Sequence, residues 1–437
     1  MKKKWLLGLA ALTAAFAIVG LAGCVDEPPE TPDNGDGTQT EQPDNGGNTG
    51  GGATDGNETQ TEQPGDKTTP VQESLDFQKI AGKGEYRITG IGNVSNTEIV
   101  IPATYRNLPV TEIDDYAFYY CRQLTSVTFE ENSRLTSIGN YAFYGCNGLT
   151  SIEIPTRITS IGGSAFYGCY RLTGVYITDI AAWCNIDFCD SVATPLRYAN
   201  NLYVGNRFIT ELVIPISVSA IKEHAFSGCS SLTNIEIPDS VTSIGDRAFQ
   251  GCSGLTSIEI PASVTSIGAY AFDGCDNLQY TIENGLKYLG NVNNPYLWLM
   301  GTESITAAAI NENCRFIGDG AFWDCKGLTN IEIPASVTSI GRNAFQNCSS
   351  LTSITFSENS QLTTISEMAF AYCDELANIE IPANVTRIDG AFYNCGRLTS
   401  ITFNGTKAQW NSIRKADAWN YNVPATKVVC TDGEVEL

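Results

Sequence analysis

Apolar residues along most of this chain follow neither a helical period nor a plain strand alternation. They recur in a longer register of Leu-x-x-Ile-x-Ile, then Val-x-x-Ile-Gly, then Ala-Phe-x-x-Cys, and most copies return after 22 to 25 residues. The unit is cleanest at Leu232–Ser253, LTNIEIPDSVTSIGDRAFQGCS. Alternate residues of a strand face opposite ways, so Ile235 and Ile237 point inward while Asn234 and Glu236 point out. Pro238 has no N–H to donate and closes that strand. Val241–Ile244 forms a second short extended run, and Gly245 supplies a turn that tolerates positive φ. Ala248, Phe249 and Cys252 pack inward from a short turn or helical piece before Leu255 opens the next unit.

Ten copies of the pentapeptide begin at Ala117, Ala142, Ala165, Ala225, Ala248, Ala271, Ala321, Ala344, Ala369 and Ala391. A unit of this size cannot bury its apolar face alone and must stack on its neighbours, which predicts a solenoid of roughly 13 or 14 rungs. At about 4.8 Å per rung its sheet would run about 65 Å. At Phe129–Gly139 and Phe356–Ser366 the Ile-Pro turn is replaced by a turn two residues longer, and there the Cys-to-Cys spacing grows from 23 to 25. Loops absorb such insertions while the rungs keep their length.

The motif IPxSVTSIGxxAFxGC-L, nearly verbatim at Ile237–Leu255 and Ile260–Leu278 and with Asn347 in place of Gly at Ile333–Leu351, resembles the BspA-like (Treponema-type) bacterial surface leucine-rich-repeat proteins. The resemblance covers roughly Gly84 to the C-terminus. It implies a leucine-rich-repeat solenoid, α/β and horseshoe-like, mostly β with short helical or 3-10 turns and a parallel sheet on the concave face. It also implies an adhesin or binding protein; no catalytic residue comes with it.

Before the repeats, Lys2–Lys4 and an apolar run from Trp5 to about Ala22 form a secretory signal over residues 1–23. Leu21-Ala22-Gly23-Cys24 resembles a bacterial lipobox, which implies cleavage before Cys24 and a lipid on its sulfur. An uncleaved membrane anchor is the alternative, since the run approaches the length of a bilayer span. Either way the remainder is expected outside the cytoplasm, in the cell envelope and exposed at the cell surface. Residues 24–75 are rich in Pro, Gly, Thr, Asn, Gln and acids and have no aromatic residue, the composition of a disordered tether. Its root-mean-square span is about 40 Å. The formal charge of the whole chain is −22. That balance argues against nucleic acid, whose phosphates call for Lys and Arg.

Two stretches break the period within the solenoid of residues 76–437, near 178–214 and 279–316, and a cap is expected near 402–437. The first holds Thr178–Phe188 and a Gly205-Asn206 hairpin signal. Thr402–Ile413 resembles Thr178–Phe188, with Trp410 matching Trp183, and both read as short helices that bury a Trp. The second break reads as one degenerate rung, Leu286 to Phe316.

Catalysis has little to stand on. His224, the one histidine, sits in a variable slot expected at the surface, and no Cys-x-x-Cys pair, HExxH, GxSxG or P-loop is present. Neither a cofactor nor a metal is implied. Ten of the 15 cysteines occupy one inward slot of successive repeats. Stacked about 4.8 Å apart with parallel side chains, they suit a ladder of free thiols better than disulfides. Cys184, Cys189, Cys314 and Cys430 lie outside the ladder, and a Cys184–Cys189 bridge stays open.

Two candidate surfaces emerge. Outward strand positions carry an intermittent acidic stripe that includes Glu236 and Glu259. The slot after Ala-Phe carries Tyr119, Tyr144, Tyr167, Trp323 and Tyr393, with Tyr120 beside the first. It varies while its neighbours are fixed, which places it on an exposed convex edge, and Tyr and Trp are enriched at interface hot spots. The reading is a lipid-anchored surface protein that binds a protein or glycan partner. A carbohydrate-binding or enzyme-associated lipoprotein and a structural spacer are the alternatives.

Overall fold

The structure is a computed structural model, and it describes residues 75–92, 97–303, 308–416 and 419–437. The leader, Cys24 and the expected tether lie outside the described residues. From Leu75 on, the chain winds as a β-solenoid of about 15 turns with few helices.

Each regular rung contributes two strands to two different parallel sheets. The Leu-Thr-x-Ile segment gives one, as at Asn234–Glu236 pairing Ser257–Ile258. The Val-Thr-Ser-Ile segment gives the other, as at Ser243–Ile244 pairing Ser266–Ile267. Register is in phase from rung to rung, with Ile235 opposite Ile258 and Ile244 opposite Ile267. The expectation of one parallel sheet is thus exceeded: the second extended run also forms a continuous sheet. One such sheet runs unbroken from Thr281–Glu283 to Arg414–Lys415.

The repeated threonines have a structural role that alternation alone does not reveal. On the first sheet the hydroxyls of Thr150, Thr173 and Thr256 donate to the carbonyls of Thr125, Thr150 and Thr233 at 3.0, 3.1 and 3.0 Å. On the second, Thr159, Thr265 and Thr363 donate to Thr136, Thr242 and Thr338 at 3.2, 3.3 and 3.1 Å. Each rung therefore adds side-chain hydrogen bonds to the backbone ladder, each contributing about 1 kcal/mol net.

The third side is the pentapeptide. In all ten copies the residue before Ala has φ between +52° and +65°, and the residue before Cys has φ between +54° and +82°. Glycine fills the second of these sites in five copies, at Gly145, Gly168, Gly228, Gly251 and Gly274, where a side chain would be strained. These bends turn the N–H groups along the solenoid axis. Phe118 N donates to Ala142 O at 2.8 Å, and Tyr120 N to Tyr144 O at 2.7 Å. Gly245 proves to have another function than positive φ. A Cβ there would meet Glu223 N of the preceding rung at 2.5 Å, so the glycine allows backbones to approach.

Inside, phenylalanines stack face to face. Phe118–Phe143 and Phe143–Phe166 centroids lie 5.0 and 5.2 Å apart, Phe226–Phe249 5.4 Å and Phe322–Phe345 4.7 Å. The ten repeat cysteines are free, nine of them buried and Cys325 half-buried. Seven of the thiols donate to the Phe carbonyl of the rung before, among them Cys146 to Phe118 at 3.0 Å, Cys252 to Phe226 at 3.2 Å and Cys348 to Phe322 at 3.1 Å, while Cys229 and Cys325 meet the hydroxyls of Ser231 and Thr302. Burial pushes thiols such as Cys169 and Cys348 up to about 12.

The irregular stretches replace missing parts of this stack. The helix Ile180–Cys184 is capped by Asp179, whose carboxylate accepts from Ala181 N and Ala182 N. It buries Trp183, whose indole N–H donates to Ala225 O at 2.8 Å. In regular rungs that carbonyl is met by a Phe backbone N–H, as at Phe118. The helix Lys407–Ser412, opened by a Thr406/Gln409 capping box, likewise buries a tryptophan, Trp410. Leu202–Val204 and Arg207–Ile209 form the expected hairpin. The helix Leu196–Ala199 and the N-terminal hairpin of Leu75–Ile80 with Glu85–Ile91 were not foreseen. The second break is an antiparallel meander of Thr281–Glu283, Leu286–Leu289 and Trp298–Thr302, where one degenerate rung was expected. A two-residue turn joins its first two strands, and residues 290–297 join the last two. Cys184 is a free thiol, so no Cys184–Cys189 bridge forms.

This packing predicts thiol behaviour. In aerobically purified native protein without reductant, Cys325 alkylates first and the other repeat cysteines react only on denaturation; peptide maps showing them paired would contradict it. Cys252→Ala should cost about 1–2 kcal/mol in chemical denaturation, through lost volume and a lost donor.

Candidate interaction surfaces

The same left-handed turns that align Phe residues inside align tyrosines outside. Tyr116 stacks on Tyr141 at 5.0 Å, Tyr119 on Tyr144 at 5.2 Å and Tyr144 on Tyr167 at 5.0 Å. Tyr120 meets Tyr119 and Tyr144 edge-on at 4.6 and 5.5 Å, and the Arg122 guanidinium lies 5.1 Å from the Tyr120 ring centre. A Cβ at Gly145 would meet Tyr120 Cδ1 at 2.6 Å, so this glycine is also the floor on which Tyr120 lies. Tyr116, Tyr119, Tyr120 and Tyr167 are exposed by 53, 44, 44 and 40 %, and Tyr144 is half-buried among them. Desolvation, then the neighbouring phenols, raises the Tyr119 and Tyr144 hydroxyls above their ordinary value, so both remain neutral donors. The result is a contiguous aromatic surface held by neighbour stacking.

The other slot residues fall elsewhere. Trp323, 51 % exposed, borders a cleft of about 410 Å³ with Tyr270, Tyr280 and Asp319. Tyr393 is half-buried and stacks on Tyr421 at 4.9 Å. Sequence reading missed Tyr421 because no Ala-Phe precedes it; the hydrogen bond from Asn394 N to Tyr421 O at 2.9 Å puts it in the slot. Exposure of this slot is not uniform: Ser227 and Ala371 are buried. Over Ser227 the helix Leu196–Ala199 crosses so closely that a Cβ on Gly228 would meet Arg197 Cα at 2.5 Å.

Glu236 and Glu259 both lie exposed on the outward side of the first sheet. Equivalent carboxylates further on are answered from the next rung, Glu332 by Ser357 at 2.8 Å and Glu380 by Asn404 at 2.7 Å.

His224 corrects a sequence expectation. It is buried to 4 % exposure rather than on the surface, its backbone is left-handed at φ 60°, and Nδ1 has no hydrogen-bond partner. The charged residues Arg247 and Asp246 of the next rung and Asp190 and Arg197 of the irregular segment surround it. Among the described residues no group of three or more His, Cys, Asp or Glu is placed to hold a metal ion. Nor is any helix among them long and apolar enough to cross a membrane.

Comparison with known families agrees with this architecture. The model of the BspA type leucine rich repeat region matches in six copies over residues 92–186, 199–292 and 298–414. The chain belongs to this BspA-type leucine-rich-repeat family. Among solved structures, this BspA-type protein is similar to a leucine rich cell surface protein from Faecalibacterium prausnitzii, with 29 % identity over 81 % of this chain and 98 % of that one and a TM-score of 0.37. A leucine-rich repeat protein from Bacteroides ovatus shares 24 % identity over 81 % and 92 % of the two chains, TM-score 0.35. The pneumococcal vaccine antigen PcpA shares 16 % over 82 % and 85 %, TM-score 0.32. No curated protein matches the BspA-type chain.

A buried and a half-buried ionisable group give this solenoid opposing pH responses. Burial, then Arg247, holds the His224 imidazole down at about 4. The stability that depends on neutral His224 is whole above its ordinary value of 6.5 and is lost as pH falls toward 4. Thermal midpoints should therefore drop over that window, and less in His224→Asn, since Asn tolerates the left-handed backbone. Burial raises Asp319 to about 6, so its ionisation lowers stability as pH rises from 3.8 through 6. Asp319→Asn should be the more stable protein at neutral pH, with the gain gone in acid.

Proposed function

We propose that this protein is a lipid-anchored binding module, displayed on the cell surface through Cys24, which recognises a macromolecular partner by its stacked tyrosines. The single observation that carries this reading is the ladder formed by Tyr116, Tyr119, Tyr141, Tyr144 and Tyr167. Tyrosines supply large contact area with few rotatable bonds, and here neighbour stacking has already fixed their rings before a partner arrives. A monomer gains little from exposing contiguous aromatic surface unless something covers it. The family's surface-protein character supports the placement, and a leader ending in Leu-Ala-Gly-Cys supports the anchor.

Exposed Glu236 and Glu259 would act at longer range, steering association more than holding the complex. With partner-bearing cells or matrix as the binding surface, Tyr144→Ala combined with Tyr167→Ala should weaken retention about tenfold or more. Glu236→Gln combined with Glu259→Gln should change mainly the association rate and its salt sensitivity. The thermal midpoint should barely move in the glutamine pair. The reverse pattern, with the glutamine pair abolishing binding and the alanine pair silent, would move recognition to the first sheet.

A further inference from the structure

Along the outward side of the first sheet, Glu153, Tyr176 and Tyr203 occupy matched register positions on three successive rungs. Tyr176 and Tyr203 stack with centroids 4.6 Å apart and planes 12° from parallel. Both lean over Gly174, where a Cβ would meet Tyr176 Cε2 at 3.0 Å and Tyr203 Cε2 at 3.1 Å. Tyr203 covers one face of Tyr176. On the other side the aromatic stack stops, because the preceding rung brings Glu153 in place of a ring. The space so left is a notch of about 360 Å³, bordered by Tyr176 but not by Tyr203, with Ser151, Glu153 and Thr178 around it. Asn206, from the turn of the Leu202–Val204/Arg207–Ile209 hairpin, closes its far side.

Glu153 differs from Glu332 and Glu380 in having no answering donor, and from Glu236 and Glu259 in being half-buried. Ser357 and Asn404, which answer Glu332 and Glu380, each stand two residues beyond the register partner on the next rung. For Glu153 that position is Thr178, and the two are not hydrogen-bonded. Among the described residues Glu153 has neither a hydrogen-bond donor nor an ion-pair partner, although it is half-buried. An acceptor removed from part of its water and left unanswered favours a ligand that brings a donor.

We propose that this notch binds one pyranose ring of a neutral oligosaccharide, with the ring's apolar face on Tyr176 and its edge hydroxyls donating to Glu153. An apolar wall with a few convergent polar groups is the usual make-up of a small-molecule site, and the volume falls in the usual range of about 300–1,000 Å³. A phenylalanine ring from a peptide would cover Tyr176 but bring Glu153 no donor, and a Tyr or Trp would bring only one, leaving the other polar groups of the notch unused. A cation would satisfy Glu153 but calls on acceptors alone, leaving the hydroxyl hydrogens of Ser151 and Thr178 and the amide N–H groups of Asn206 unused. A second hollow shares Glu153 and Thr178 and continues the groove past Arg157, which gives neighbouring sugar residues a path. This site is separate from the tyrosine ladder and stands or falls apart from it.

The test is calorimetric titration of the full chain with cellohexaose, xylohexaose, laminarihexaose and maltohexaose at millimolar concentration. At least one should bind, with an affinity insensitive to salt. Tyr176→Ala and Glu153→Gln should each weaken it about tenfold. Glu153→Tyr, which continues the stack into the notch, should abolish binding with the thermal midpoint retained. Should Tyr176→Ala lower that midpoint, the near-isosteric Glu153→Gln carries the result. Tyr144→Ala with Tyr167→Ala should leave sugar binding intact. Failure of every oligosaccharide to bind, survival of binding in Glu153→Tyr, or preferential binding of Nα-acetyl-lysine amide or tryptophanamide would overturn the proposal.

Discussion

Each rung closes because two of its residues accept a left-handed backbone, one before the Ala of the pentapeptide and one before its Cys. Those two bends turn the intervening N–H groups along the solenoid axis, where the next rung's carbonyls receive them. With that alignment fixed, Phe rings fall into a stack and thiols stacked directly on a preceding repeat, such as Cys146 and Cys252, reach the Phe carbonyl one rung back. The exposed slot then projects Tyr119, Tyr144 and Tyr167 at one-rung spacing. Interior order and surface order are therefore consequences of the same backbone constraint.

This constraint also explains how the irregular segments are tolerated. Where a phenylalanine is missing, a helix supplies Trp183, and its indole N–H donates to Ala225 O in place of a backbone amide. A rung thus needs its donors and its apolar volume rather than one particular sequence. The first irregular segment, freed from the repeat, builds the hairpin whose Asn206 borders the Tyr176 notch. In a stack whose neighbours already satisfy each other, such departures are where a surface can acquire a shape of its own.

Much of the fold was legible in the repeat. Inward Ile235, Ile237, Phe249 and Cys252 followed from alternation and recurrence, as did the free-thiol ladder and the buried Trp183 and Trp410. The tyrosine slot was legible because it varied between fixed neighbours. Other features depend on contacts between rungs that no single unit encodes. Gly245 reads as a turn residue but is required by the Glu223 backbone 2.5 Å from its absent Cβ. His224 reads as surface because its slot elsewhere holds Arg247 or Tyr270, and it is buried because the irregular segment before it folds over that turn. The unanswered Glu153 could not be found from sequence, since it is defined by what Thr178 on the next rung fails to donate.

If stacking of nearest neighbours is what stabilises this protein, a lesion at one rung should spread to its neighbours and then fade. The most direct measurement is amide hydrogen exchange by mass spectrometry in Phe249→Ala, a substitution at the centre of the Phe226–Phe249–Phe272 stack. Protection should fall in that rung and the two beside it, while peptides containing Phe143 and Phe370 exchange as in the unmodified protein. Equal loss of protection from Leu75 to the C-terminus, or loss confined to the altered rung alone, would contradict the account.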